Sequence, residues 1–188
     1  PHFLKNVRRT GNPQAELFMA KNPIQKVLIA NRGEIAHRIG QTLARKNIAS
    51  VGLYIQGEQD SFYTRGLDET FKLTPNALSA FLDMDQIISI AKKAKADAIA
   101  PGYGFLSESD VFAQKVIDAG LVWIGPDPDV ISILGNKERA KAQARAYDVP
   151  VLETIFEEKE FDPDFASRLQ TLNFPIMLKP MMGGGGKG

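Results

Sequence analysis

The end of the chain concentrates residues suited to phosphate chemistry. Residues 174–188 read FPIMLKPMMGGGGKG, with Lys179 after an apolar run, then Gly183, Gly184, Gly185 and Gly186, then Lys187. Four consecutive glycines are a poor choice for stability, because glycine loses more backbone entropy on ordering than any other residue. They suit a loop whose backbone N–H groups must approach a polyanion with no Cβ atoms in the way. Lysines on either side add positive charge. The pattern predicts a flap over nucleotide phosphates. A flexible linker is the alternative for the glycines, and a solvated strand end is the alternative for Lys179. A mononucleotide P-loop is excluded. Met181 stands where that motif needs its first glycine, and Gly188 where it needs a hydroxyl for magnesium.

Lys137 is a second candidate. It falls in the first turn of a predicted helix, where the dipole favours acids, and a cation there suggests a nearby anion. Residues 101–109, PGYGFLSES, form a loop dense in proline, glycine and aromatics at the carboxyl end of a predicted strand. That is where α/β proteins place ligands. His37 lies off the apolar stripe of its helix and reads as an exposed residue rather than a catalyst. Asp60, Asp68 and Glu69 read as solvated loop charges. A dinucleotide fingerprint that would give them a ribose is missing, since residues 30–40 hold only Gly33 and Gly40.

The elements that must position these residues follow from periodicity. Residues 26–30 (KVLIA) form a short apolar strand broken by Asn31-Arg32-Gly33. Ile35, Ile39 and Leu43 then recur every four residues, with Ala36, Gly40 and Ala44 beside them, which marks one face of a helix. Residues 50–55 give the next strand, completing a βαβ unit and implying a parallel sheet. Further strands are expected at 71–73, 97–100 and 121–124. A helix is expected between Phe81 and Ala94, with Lys92, Lys93 and Lys95 on its wet face. Another carries Val111, Phe112 and Val116, capped by Ser107 or Ser109 and closed by Gly120. Asp127 and Pro128 open a short helix that Gly135 stops. Asn136 caps the next, whose Ala140, Ala144 and Tyr147 are expected to face inward. Asp162-Pro163 begins a helix reaching about residue 172, and residues 174–178 form the strand that delivers Lys179.

Composition narrows the class. A chain of 188 residues is one large domain, or one domain and part of a second. Its net charge of +1, without a basic block interleaved with aromatics, argues against nucleic acid as a partner. No apolar run approaches the roughly 18 residues of a membrane span. With no cysteine and only two histidines, thiolate catalysis and Cys- or His-rich metal sites are out. Residues 1–25 lack periodicity and read as a leader or disordered tail. A cytoplasmic protein is expected, and the Arg-bearing, acid-poor leader is the argument for a mitochondrial one.

Three stretches together resemble the biotin carboxylase module of biotin-dependent carboxylases: KVLIANRGEIA at 26–36, PGYGFLSE at 101–108 and the lysine-glycine loop at 179–188. The resemblance covers residues 26–188. It implies an α/β fold, with a doubly wound, Rossmann-like pre-ATP-grasp domain at 26–135 and the start of an ATP-grasp domain at 136–188. The implied reaction is carboxylation of biotin, using ATP, bicarbonate and Mg²⁺ or Mn²⁺, through carboxyphosphate. By the same resemblance Lys137 and Lys179 contact nucleotide phosphate, and Gly183, Gly184, Gly185 and Gly186 form the flap. Glu108 and Lys187 are candidates for the bicarbonate and phosphate end. Arg32 and Glu34 look architectural.

The implied partners are a biotin carboxyl carrier domain, a carboxyltransferase domain and a second copy of the module. The family's magnesium-binding carboxylates, adenine-binding segment, bicarbonate base and biotin-contacting arginine fall beyond residue 188. No catalytic or metal-binding residue is therefore expected within the chain, and the chain alone is expected to be inactive. Many members have His at Ala100, Asn at Ser109, Asp at Asn136 and Ala-Ser-Gly at residues 180–182. The segment before PGYGF looks closer to the urea carboxylase branch than to the acyl-CoA enzymes. The departures also admit an alternative: an inactive nucleotide-binding or interaction remnant of the same fold.

Overall fold

Val27, Leu28 and Ile29 are each at most 1% exposed, although their side chains alternate between the two faces of a strand. A strand apolar on both faces belongs in the middle of a parallel sheet covered on both sides. The computed structural model describes residues 23–155 and 164–177 and places this strand there. Strand β1 (Lys26–Ile29) pairs in parallel with β2 (Ala49–Tyr54) on one side and β4 (Ala98–Ala100) on the other. β3 (Glu69–Lys72) adds beyond β2, and β5 (Val122–Trp123) beyond β4, giving the order β3-β2-β1-β4-β5.

Helix α1 (Gly33–Arg45) links β1 to β2, α2 (Met84–Lys93) precedes β4, and α3 (Asp110–Asp118) links β4 to β5. The chain winds outward from β1 in one direction and then returns to wind in the other. Right-handed crossovers therefore put α1 on one face and α2 with α3 on the opposite face. The doubly wound α/β fold is the expected one. Its direction reverses between β1 and β4, and that switch point opens a crevice beyond their carboxyl ends.

Several local expectations hold in detail. Ala36, Gly40 and Leu43 are the buried stripe of α1. Ser109, rather than Ser107, caps α3 by accepting from the Phe112 N–H, and Gly120 follows that helix at φ +79°. Asp68 and Glu69 are exposed, as read, and each also has a specific partner. Asp68 accepts hydrogen bonds of 2.7 Å from both the N–H and the hydroxyl of Ser50, and Glu69 lies in β3 with Lys26 Nζ 2.6 Å away. These groups tie down one edge of the sheet. Leu67 inserts between helix and sheet: a Cβ on Gly40 would overlap its Cδ2, and one on Gly52 its Cδ1.

The chain divides into two compact units between Asp129 and Val130. The second contains most of α4 (Pro128–Gly135), then α5 (Lys137–Ala146) and α6 (Phe165–Leu169). Asn136 caps α5 as expected, but Tyr147 is 64% exposed rather than inward, and α5 has no buried residue. An alanine-rich helix with four basic residues offers too little apolar surface to bury a face. Residues 174–177 form no strand. Asp162, Pro163 and residues 178–188 lie outside the described residues.

Two outcomes test this packing. Ser50 hydrogen bonds, first from the hydroxyl and then from the N–H, hold the Asp68 carboxyl below its ordinary value of 3.8. The unfolded chain therefore takes up that proton first. Stability from Asp68 is complete above about pH 5 and is lost as pH falls through the lowered native value. Ser50→Ala should flatten the acid side of the stability curve measured by urea unfolding. Separately, Gly40→Ala or Gly52→Ala should cost about 1–3 kcal/mol by overpacking. Combining Gly52→Ala with Leu67→Ala should cost less than the sum of the two single changes, as measured by denaturant unfolding.

Candidate functional site

The crevice is built around the turn that follows β1. Asn31 is fully buried, and a buried amide must find partners for its hydrogens inside the protein. Its Nδ2 donates to the carbonyls of Pro101 at 2.7 Å and Tyr103 at 2.8 Å, while its Oδ1 accepts from the Arg32 N–H at 2.9 Å. Arg32 reaches instead to the loop after β2. Its guanidinium pairs with the Glu58 carboxylate, which also accepts from the Tyr63 hydroxyl at 2.9 Å. Burial holds the Tyr63 hydroxyl above its ordinary value of 10.0, with the Arg32 charge acting against it. Tyr63 therefore remains a neutral donor. Exposed Glu34, in the first turn of α1, accepts from the Tyr103 hydroxyl at 3.3 Å. Residues 31–34 thus fasten two loops from different strands to one turn.

The loop after β4 has an unusual backbone. Gly102 and Gly104 adopt φ of +68° and +74°, and Phe105 adopts +46°, a conformation that costs a bulky residue free energy. The Phe105 ring packs against that of buried Phe81 at 5.1 Å, and Leu106 is buried beside it in sequence. Tyr103, 65% exposed, and Glu108, also exposed, stand on the outer side. The loop therefore buries Leu106, leaves Phe105 37% exposed against Phe81, and presents the Tyr103 ring and the Glu108 carboxylate to solvent.

Of the site residues expected from the sequence, Glu108 lies on this loop in the first unit. Lys137 lies in the second unit as the first residue of α5. There Asn136 Oδ1 accepts from the N–H groups of Glu138 and Arg139, both at 3.0 Å, and so sets where the helix begins. Lys179, Lys187 and Gly183, Gly184, Gly185 and Gly186 lie outside the described residues. His37 makes an edge-on contact with the Phe62 ring at 5.4 Å and lies 3.0 Å from the Gln41 amide, a surface arrangement along α1. A hollow of about 460 Å³ lies beside α1, with Arg38, Thr42, Ile124 and Gly102 of the loop after β4 among its walls, and none of the expected site residues lines it. Among the described residues there is no cluster of three or more His, Asp or Glu that could hold a metal ion.

Sequence reasoning passed over Asn31, Glu58 and Tyr63. A polar residue directly after a fully apolar strand was the available signal for Asn31. For Glu58 there was none, because its partner Arg32 is 26 residues away.

The two loop glycines make contrasting test sites. A Cβ on Gly102 would meet Ile35 Cγ2 at 2.5 Å and Asn31 Nδ2 at 3.1 Å, whereas one on Gly104 would meet nothing within 4 Å. Gly104→Ala should cost only the left-handed backbone penalty, about 1–2 kcal/mol. Gly102→Ala should cost measurably more, because overpacking adds to the same penalty. Thermal unfolding of the two variants checks the difference.

Residues 23–131 match the family described as biotin carboxylase, N-terminal domain. The chain is 42% identical over 165 residues to Biotin carboxylase 2 of Bacillus subtilis, covering 87% of this chain and 37% of that protein. It is 41% identical over 165 residues to a putative urea carboxylase of Emericella nidulans, covering 88% of this chain and 13% of that protein. Among solved structures, it resembles the biotin carboxylase domain dimer of Hydrogenobacter thermophilus 2-oxoglutarate carboxylase, in complex with MgADP, ADP and bicarbonate. The TM-score is 0.81 at 34% identity, over 87% of this chain and 36% of that one. The chain therefore spans little more than a third of the first of these curated relatives and about an eighth of the second. With the family match covering the whole parallel sheet, the chain belongs to the biotin carboxylase N-terminal domain family.

Proposed function

We propose that this chain supplies the amino-terminal part of a biotin carboxylase, the module that uses ATP to carboxylate biotin with bicarbonate. The observation that carries the reading is the extent of the similarity. It covers 87% of the chain, so it runs past Asp129 into the second unit and is not confined to the sheet. A shared doubly wound sheet alone would support a fold and no reaction.

In this reading a bicarbonate oxygen attacks the γ-phosphorus of ATP, the bond to the β-phosphate oxygen breaks, and carboxyphosphate and ADP result. Phosphoryl transfer of this kind depends mainly on positioning and charge neutralisation. Lys137, with its backbone fixed at the start of α5, and Lys179 are assigned to the nucleotide phosphates. Gly183, Gly184, Gly185 and Gly186 are assigned to the covering flap, and Lys187 and Glu108 to the phosphate and bicarbonate end. Biotin, when bound, supplies the nitrogen that accepts the carboxyl group. No step is assigned to magnesium, because the described residues offer no ligand set for it. A biotin carrier domain, a carboxyltransferase and a second copy of the module are the partners that fit. Identities of 42% and 41% to a biotin carboxylase and a urea carboxylase do not separate acceptors, so the proposal stops at the shared half-reaction.

Two departures from the family pattern are accommodated by the structure. Ala100 is 5% exposed within β4, and Asn136 makes the cap that an aspartate would make. In the intact protein, ATP cleavage should depend on bicarbonate. Lys137→Ala should raise the KM for ATP about tenfold to a hundredfold, as expected for loss of a charge-assisted phosphate contact. Steady-state kinetics with circular dichroism as the folding control checks this. An unchanged KM in a folded variant would remove Lys137 from the site.

A further inference from the structure

The geometry points to Asn31 as a positioning residue for bicarbonate use. Its amide sets where the loop carrying Tyr103 and Glu108 stands at the rim of the crevice. This role rests on the function proposed above.

The carbonyls of Pro101 and Tyr103 flank Gly102, whose φ of +68° curls the backbone so that both oxygens converge on one point. Two carbonyl dipoles converging away from water repel each other and need a shared donor. Asn31 Nδ2 has two hydrogens and serves both oxygens, while its Oδ1 accepts from Arg32. A hydrophobic side chain of similar size could fill the space, but would leave both carbonyls unsatisfied. Three polar residues, Asn31, Ser50 and Thr64, are buried among the described residues. Thr64 hydroxyl bonds stay within its own loop and Ser50 reaches Asp68, 18 residues away, whereas Asn31 spans 70 and 72 residues.

The second tie leaves the same turn, since Glu34 accepts the Tyr103 hydroxyl. The ties hold the loop at buried Pro101 and exposed Tyr103, and Glu108 stands exposed five residues further on. Tyr103 and Glu108 bury little surface, so anchoring them adds little to the core. The anchoring makes sense as presentation: a fixed backbone determines where an aromatic ring and a carboxylate stand at the rim by which a small anion would enter. Displacing such groups by about 1 Å is enough to cost a large factor in reactivity.

The test uses the intact protein and two variants. Asn31→Asp keeps the size and the acceptor for Arg32 but turns the donor face into an acceptor facing two carbonyls. Glu34→Ala cuts the second tie at an exposed position that does not threaten folding. Initial rates of ATP cleavage are measured while bicarbonate and ATP are varied in turn, with circular dichroism reporting the folded fraction. The expected result is a KM for bicarbonate raised about tenfold or more by Asn31→Asp and about two- to threefold by Glu34→Ala. The KM for ATP should stay within about twofold in both.

A bicarbonate KM unchanged in both variants would overturn the role. So would equal rises in both KM values, since that reports general loosening. If Asn31→Asp does not fold, Glu34→Ala decides alone. A wild type whose ATP cleavage ignores bicarbonate defeats the proposed function itself and this role with it.

Discussion

A primary amide sealed from water has to satisfy its own hydrogens, and at Asn31 that requirement joins the two halves of the sheet. β1 and β4 meet at the switch point, and the loops that leave them would otherwise be linked mainly by strand pairing below. The Asn31 amide takes two carbonyls from the far loop. Arg32, one residue on, takes a carboxylate from the loop after β2. Leaving a buried polar group unpaired costs about 1–3 kcal/mol, a large share of a marginally stable domain. The turn is thus held from both sides, and the rim of the crevice inherits its shape.

The rest of the first unit is arranged to let that turn exist. β1 is apolar on both faces because it lies at the centre, so the first position able to carry a polar side chain is beyond its end. The stripe of α1 brings the helix down onto β1 and β2, aided by the absence of Cβ atoms at Gly40 and Gly52, where Leu67 fills the space. The Asp68–Ser50 contact then secures the outer edge. Each element is ordinary; the arrangement places their carboxyl ends at one rim.

The fold was largely legible in the sequence because its signals are local. Alternation of apolar strands with helices of period near four predicted the parallel sheet, and Ser109, Gly120 and Asn136 marked helix ends through chemistry confined to a few residues. Failures came where the deciding partner is remote. Asp68 is exposed as read, but nothing near it in sequence reveals its bonds to Ser50, and Glu58 was passed over because Arg32 precedes it by 26 residues. Tyr147 was expected inward from spacing alone, but spacing cannot tell whether a helix has anything to pack against. The site was legible in part. The loop at 101–109 was marked by its glycines, whereas the residue that organises it had only its place after an apolar strand.

The strand order carries a consequence for synthesis of the protein. β1 is made first but needs a neighbour on each side. β2 follows soon, whereas Ala98 arrives roughly 70 residues after Val27, about 4 to 14 s later at ordinary rates of translation. Throughout that interval the most apolar strand of the sheet has an open edge, and Asn31 has no carbonyls to bind. An unpaired edge of this kind is a template for association with other chains. That exposure ends only when the second half of the sheet emerges and β4 pairs with β1.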